Sequence, residues 1–278
     1  MVELRTSGEI DAMAAAGAVV AQVLQACKAA AEQGLTSGVT PLDLDAVAAA
    51  VIRDNGAVSC YIGYHPVWAP SPYPTVTCIS VNDAVVHAIP DRRPLQPGDL
   101  VSIDIAVSVD GWAADAAISF VLGGDPDPAL LALIDTTEQA LAAGIKEMIP
   151  GQRLGDVAAA IGTLVRSAGY GLLAGHGGHG IGRRMHAEPD VPNEGRPGRG
   201  LPLKAGLVLA IEPMVLAGGT DGYQHLTDGW GVRTADGSMA AHVEHTVAVT
   251  EQGPRILTAG LAPTGRPGRS GATRITPA

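Results

Sequence analysis

Asp104, Asp115, Glu212 and Glu244 each stand inside an otherwise apolar, strand-like run, as in Val208-Leu-Ala-Ile-Glu-Pro-Met and His242-Val-Glu-His-Thr-Val. A buried carboxylate without a partner is strongly unfavourable, so four of them in such settings call for a common counter-charge. A bound divalent cation is the simplest agent that offsets several negative charges at once. Two histidines in His179-Gly-Ile-Gly-Arg-Arg-Met-His186 add imidazole nitrogen to the set. Carboxylates with one imidazole suit a pair of hard-to-borderline dications, which is the chemistry of a metallohydrolase.

The elements that must carry these groups follow from turn and cap signals. Residues 100–109 and 112–121 are apolar strands around Asp110-Gly111, a favoured two-residue hairpin turn. That turn sets 109 opposite 112 and 106 opposite 115, so Asp104 and Asp115 share a face one diagonal step apart. Their face is otherwise small (Ser102, Ala106, Ser108), whereas Val101, Ile103, Ile105, Val107 and Val109 form a packing surface on the other side.

Thr6 with Glu9 makes a capping box for a helix ending near Gly34, with Gly17 on its apolar face where a neighbour can approach closely. Thr40, Pro41 and Asp43 open a second helix that Asn55-Gly56 closes. Asp127 and Pro128 start a third, to about Met148, and a fourth covers about Leu154 to Ser167. Strands are expected at 77–82, 206–214, 229–234 and 242–249, and residues 59–76 form an irregular stretch rich in Pro and Tyr. Two helices followed by strands thus occur twice, which predicts two related halves even though no sequence repeat is evident. His179 is expected in a glycine-rich loop, Gly177-Gly-His-Gly-Ile-Gly, where absent side chains would let backbone approach a bound group. His65, His176, His225, His242 and His245 carry no spacing argument and are read as structural.

Composition narrows the function classes. The 278 residues, 46% hydrophobic with a single Phe, predict a folded core built mainly from Val, Ile, Leu and Ala. A formal charge of -10 disfavours a nucleic-acid surface. Cys27, Cys60 and Cys78 are too few and too unevenly spaced for a disulfide framework, which fits a reducing cytoplasm. No basic segment followed by an apolar stretch opens the chain, and no run of 18 apolar residues is read in it, so neither secretion nor membrane insertion is expected. From about Ala262 the periodicity stops, predicting one domain over 1–261 and a flexible tail over 262–278.

Seven motifs in order carry a family resemblance: Cys78-Ile-Ser-Val-Asn with His87-Ala-Ile-Pro, Ile103-Asp-Ile, Asp115, His179-Gly-Ile-Gly, His186-Ala-Glu-Pro, Ile211-Glu-Pro-Met and Glu244-His-Thr. In these, from about residue 7 to 258, the chain resembles the type I methionine aminopeptidases among the pita-bread metallopeptidases. The resemblance implies an α+β pita-bread fold, with two pseudo-symmetric halves and a central curved antiparallel sheet covered by helices. It implies two divalent ions (Co, Mn, Fe or Zn), with Asp104 on one, His179 and Glu212 on the other, and Asp115 and Glu244 bridging both. Catalytic roles fall to His87, His186 and Glu212. Substrate would be held by His87 and His186, and a methionine pocket would be built from Tyr64, Tyr73, Cys78, Met185 and Trp230. The implied activity is removal of initiator methionine from nascent chains whose second residue is small, by a cytoplasmic monomer with the ribosome as a candidate partner.

Several positions depart from the family pattern. Ala88 and Ala187 replace the usual Gly and acid after the two substrate histidines, and Ala106 and Ala116 stand where hydroxyl residues are common. An insertion, His65-Pro-Val-Trp-Ala-Pro-Ser-Pro, lengthens the loop at the pocket mouth. Two other readings compete: an X-Pro peptidase of the same fold, which usually carries a large amino-terminal domain, and a non-catalytic peptide- or protein-binding relative, which would have lost metal ligands.

Overall fold

The Thr6 cap forms as its sequence dictates: Oγ1 accepts from the Glu9 N–H at 3.4 Å, and the Glu9 carboxylate accepts from the Thr6 N–H at 2.8 Å. Helix α1 (Ser7–Gly34) follows, then α2 (Pro41–Asp54), opened by the reciprocal Thr40–Asp43 pair. This computed structural model describes residues 2–260, so the tail expected at 262–278 lies outside the described residues. Gly17 meets the Leu257 carbonyl so closely that an added Cβ would overlap it, which explains the glycine on a helix face.

The strands of the first half are β1 (Val58–Ser59), β2 (Cys78–Val81), β3 (Ala84–Val86), β4 (Leu100–Val109) and β5 (Trp112–Val121). Helices α3 (Pro128–Lys146) and α4 (Leu154–Ser167) then lead into β6 (Gly171–Leu172), β7 (Gly177–Gly180), β8 (Ala187–Pro192), β9 (Val208–Ile211) and β10 (Met214–Leu216). The last strands among the described residues are β11 (Tyr223–His225), β12 (Val232–Thr234), β13 (Ala240–His242), β14 (His245–Thr250) and β15 (Gly253–Ile256). Sheet order is β1-β4-β2 with β5 on β4, and β15-β14-β9-β7-β8; two three-stranded sheets, β13-β10-β6 and β11-β12-β3, complete the set.

Each half packs a helix pair on antiparallel strands. In the first, Val20, Leu24 and Leu44 of α1 and α2 meet Ile103, Ile105 and Phe120 of β4 and β5. In the second, Leu133, Leu141, Ile161 and Val165 of α3 and α4 meet Leu209, Ile211, Val247 and Val249. Full burial of each such side chain contributes about 1.5–3 kcal/mol. Helix α1 is long and apolar enough to pass for a membrane span, a feature the sequence reading did not flag; 56% of that window is buried inside the fold.

Besides the β3–β12 ladder, hydroxyl groups join the halves at the β4–β5 hairpin. Thr246 Oγ1 accepts from the Asp115 N–H at 2.9 Å and donates to the Asp115 carbonyl at 2.8 Å. Ser119 Oγ does the same for His242, at 2.9 and 2.8 Å, and lies 2.7 Å from Ser102 Oγ. The small residues on this face of the hairpin therefore let the second half come within hydrogen-bonding distance.

The expected strands at 206–214 and 242–249 are each broken. β9 pairs with β14 and β10 with β13, and the chain changes sheet at Glu212-Pro213 on one side and at Val243-Glu244 on the other. Pro213 lacks the N–H a continuous strand would need. The 229–234 strand is shorter than expected, Val232–Thr234.

Candidate metal centre

The hairpin register is as the turn demands: Val109 pairs with Trp112, Ala106 with Asp115 and Asp104 with Ala117. Asp104 and Asp115 therefore lean over one spot, 8% and 3% exposed. Glu212 and Glu244 do not project from regular strands, as the sequence reading had them; they occupy the two opposed sheet breaks, which turn them toward the same spot. His179 is not in a loop either. It lies on β7 between β8 and β9, and the glycines around it serve strand packing. A Cβ at Gly178 would overlap the Ala210 carbonyl, and one at Gly180 the Glu188 carbonyl.

All five residues line a single cavity of about 860 Å³, together with His87 and His186. Asp115, His179 and Glu244 present ligand atoms within 4.8 Å of one another, and so do Glu212, His242 and Glu244, making two overlapping triads that share Glu244. Asp104 belongs to neither triad but accepts the Tyr61 hydroxyl at 2.6 Å, and the same hydroxyl lies 3.1 Å from Asp115 Oδ1. The Gly180 carbonyl, 3.0 Å from His179 Nδ1, holds the proton on that nitrogen and leaves the Nε2 lone pair facing Glu212, 3.6 Å away. That is the tautomer a metal ligand requires.

The electrostatics call for positive charge. Burial first, and then the neighbouring carboxylates, hold Asp115, Glu212 and Glu244 well above the ordinary carboxylate range; burial raises Asp104 as well. Burial, and then the nearby His186, pushes His179 down to about 3, so its ring stays neutral. His242 Nε2 and Glu244 Oε1 are buried with no hydrogen-bond partner. Crowded buried acids beside an imidazole nitrogen and a carboxylate oxygen that have no hydrogen-bond partner make a donor set that fits divalent metal.

Beside these groups lies an apolar recess. Tyr64, Tyr73, Cys78, Met185 and Trp230, the pocket residues expected from sequence, cluster there with Tyr61, Ala69 and Ala106. Tyr73 meets Trp230 edge-on at 4.9 Å, and Trp230 meets Trp68 of the inserted loop at 5.0 Å. The insertion is seated by a hydrogen bond from Trp230 Nε1 to the Ser71 carbonyl at 3.1 Å. His186 Nδ1 lies 3.0 Å from the Tyr64 hydroxyl, and its ring is 4.2 Å from that of His179. His87 follows β3 with a positive φ of 60°. That unfavourable backbone is pinned next door, where the Ala88 carbonyl accepts from both Ile79 N–H and the Tyr73 hydroxyl at 3.1 Å.

Two side chains in the centre escaped the sequence reading. Tyr61 sat in a stretch read only as irregular, and His242 was set aside as structural. The only signal for His242 was its place two residues before Glu244, which puts both on one side of an extended chain.

Residues 11–251 match the profile of metallopeptidase family M24. The chain belongs to that family. Within M24 it is 54% identical over 267 residues to methionine aminopeptidase 1 of Mycobacterium tuberculosis, covering 94% of this chain and 96% of the relative. A methionine aminopeptidase of Aquifex aeolicus is 40% identical, over 92% and 98% of the two chains. Among solved structures, the methionine aminopeptidase of Thermotoga maritima superposes with a TM-score of 0.84 at 35% identity, covering 93% and 99%. A prolidase from Pyrococcus furiosus shares the fold alone, with a TM-score of 0.71 at 20% identity, over 92% of this chain and 65% of that one. The α+β pita-bread architecture expected from the motifs is thus the architecture found.

Proposed function

We propose that this M24 metallopeptidase is a methionine aminopeptidase that removes initiator methionine from nascent chains with a small second residue. The observation that carries the reading is the meeting of Asp104, Asp115, His179, Glu212 and Glu244 in one cavity that also opens on the Tyr64, Tyr73, Cys78, Met185 and Trp230 recess. The relatives at 54% and 40% identity support it by name.

Asp104, Asp115, His179, Glu212 and Glu244 would hold two divalent ions, with Co, Mn, Fe and Zn all compatible with mixed carboxylate and imidazole donors. Ions bound there would acidify water and polarise a carbonyl. The remaining work belongs to the protein. The recess, an unbranched apolar slot with a methionine and aromatic rings, takes a thioether side chain and fixes the first residue of the substrate. Glu212 is the candidate general base, taking a proton at its carboxylate and passing it toward the leaving amine. His186 Nδ1 lies against the Tyr64 hydroxyl, and in the tautomer in which that hydroxyl donates, Nε2 carries the proton and offers it to a developing oxyanion. His87, kept neutral by burial and neighbouring histidines, contacts the scissile amide nitrogen.

The catalytic unit spans 1–261 and works as a cytoplasmic monomer, with the ribosome as a further partner. The three free cysteines and the acidic net charge support this placement and argue against nucleic acid. The test is metal-dependent cleavage of Met-Ala-Ser by wild type, Asp115→Asn and Glu212→Gln. Each variant should lose about 100-fold or more in turnover; unchanged turnover in both rejects the site.

A further inference from the structure

Glu212, His242 and Glu244 form the second triad, Glu212 and Glu244 lining the cavity, and His242 is the member that the proposed five-residue ligand set leaves out. Its Nε2 is 3.5 Å from Glu212 Oε2, on a side chain only 2% exposed. That nitrogen has no hydrogen-bond partner, and neither does Glu244 Oε1 two residues along. A cation held among Glu212, His242 and Glu244, whose ligand atoms lie within 4.8 Å of one another, would satisfy both at once. The Val243-Glu244 sheet break aims both residues at the same point, and the Ser119 hydroxyl fixes the His242 backbone on either side of the ring.

We propose that His242 Nε2 is a direct ligand to the cation held by Glu212 and Glu244. On the two-ion assignment above, the cation held by Glu212 then carries two imidazoles, His179 and His242. An added nitrogen donor shifts that position away from manganese and toward zinc, cobalt or ferrous iron. The inference rests on the two-ion reading above but adds a residue to it.

The test uses metal-free full-length protein titrated with Zn²⁺ by calorimetry and with Co²⁺ by visible absorption, for wild type, His242→Gln and His179→Gln. His242→Gln should weaken one of the two sites at least about tenfold, leave the other unchanged and alter the cobalt bands. Nitrogen modulation in pulsed EPR of wild type loaded with Mn²⁺ should report two histidines, a readout that needs no variant to fold. Binding and bands unchanged in His242→Gln, or a single histidine in the EPR, overturns the proposal. If His179→Gln is also silent, the two-ion reading fails with it; if His179→Gln loses metal and His242→Gln does not, this inference fails alone.

Discussion

The Tyr61 hydroxyl spans Asp104 and Asp115, at 2.6 Å from one Oδ1 and 3.1 Å from the other. It supplies the hydroxyl donor that Ala106 and Ala116 lack, and it reaches the two carboxylates from a different segment of the chain. Burial first, then the two aspartates, keeps the phenol well above its ordinary range, so it remains a donor at every working pH.

Tyr61→Phe should therefore weaken metal binding about tenfold, in the range found when a group orienting metal ligands is removed. Calorimetric titration of the metal-free variant checks this. An affinity within twofold of wild type would show that the bridge has no part in setting the site.

Gly178→Ala puts a methyl group into the Ala210 carbonyl and must push β7 away from β9. The expected loss is about 3 kcal/mol, at the upper end for overpacking, with His179 displaced as a result. Urea denaturation and metal content measured together test the coupling. A variant as stable as wild type that still binds metal would contradict the packing account.

The stabilisation by metal should grow as pH rises. Asp115, Glu212 and Glu244 have raised folded values, so the metal-free fold retains protons the unfolded chain has released. Stability from these groups is present below the ordinary carboxylate range and is lost as pH climbs through the raised values. Cations take the place of those protons. His245 and His87 act in the opposite sense. Burial lowers them from 6.5 to about 4 and about 3, so stability held above 6.5 is lost as pH falls toward 4. Metal-free protein should thus be most stable in mildly acid solution. Melting curves with and without metal at pH 5.5 and pH 8 should show the larger increment at pH 8; an equal or smaller one there would sink the scheme.

The hairpin and the caps were legible because local chemistry fixes them: Asp110-Gly111 sets a register, and Thr6 and Thr40 cap their own helices; the set of five site residues came from the ordered family motifs instead. The sheet breaks were not. Residues 206–214 and 242–249 read as continuous apolar strands, and only Pro213 hints that pairing switches between neighbours distant in sequence. His179 read as loop because glycine usually signals one, whereas here three strands lie too close for side chains. Tyr61 and His242 acquire their meaning from partners far along the chain, which no window of sequence displays.

The seam stitched by Ser119 and Thr246 divides the ligand set, with Asp104 and Asp115 on one side and His179, Glu212 and Glu244 on the other. Neither portion holds the whole cluster by itself. A gene cut between Val121 and Pro128 would yield two fragments that each lack the other's carboxylates, and only their reassembly could bring the five side chains back into one cavity.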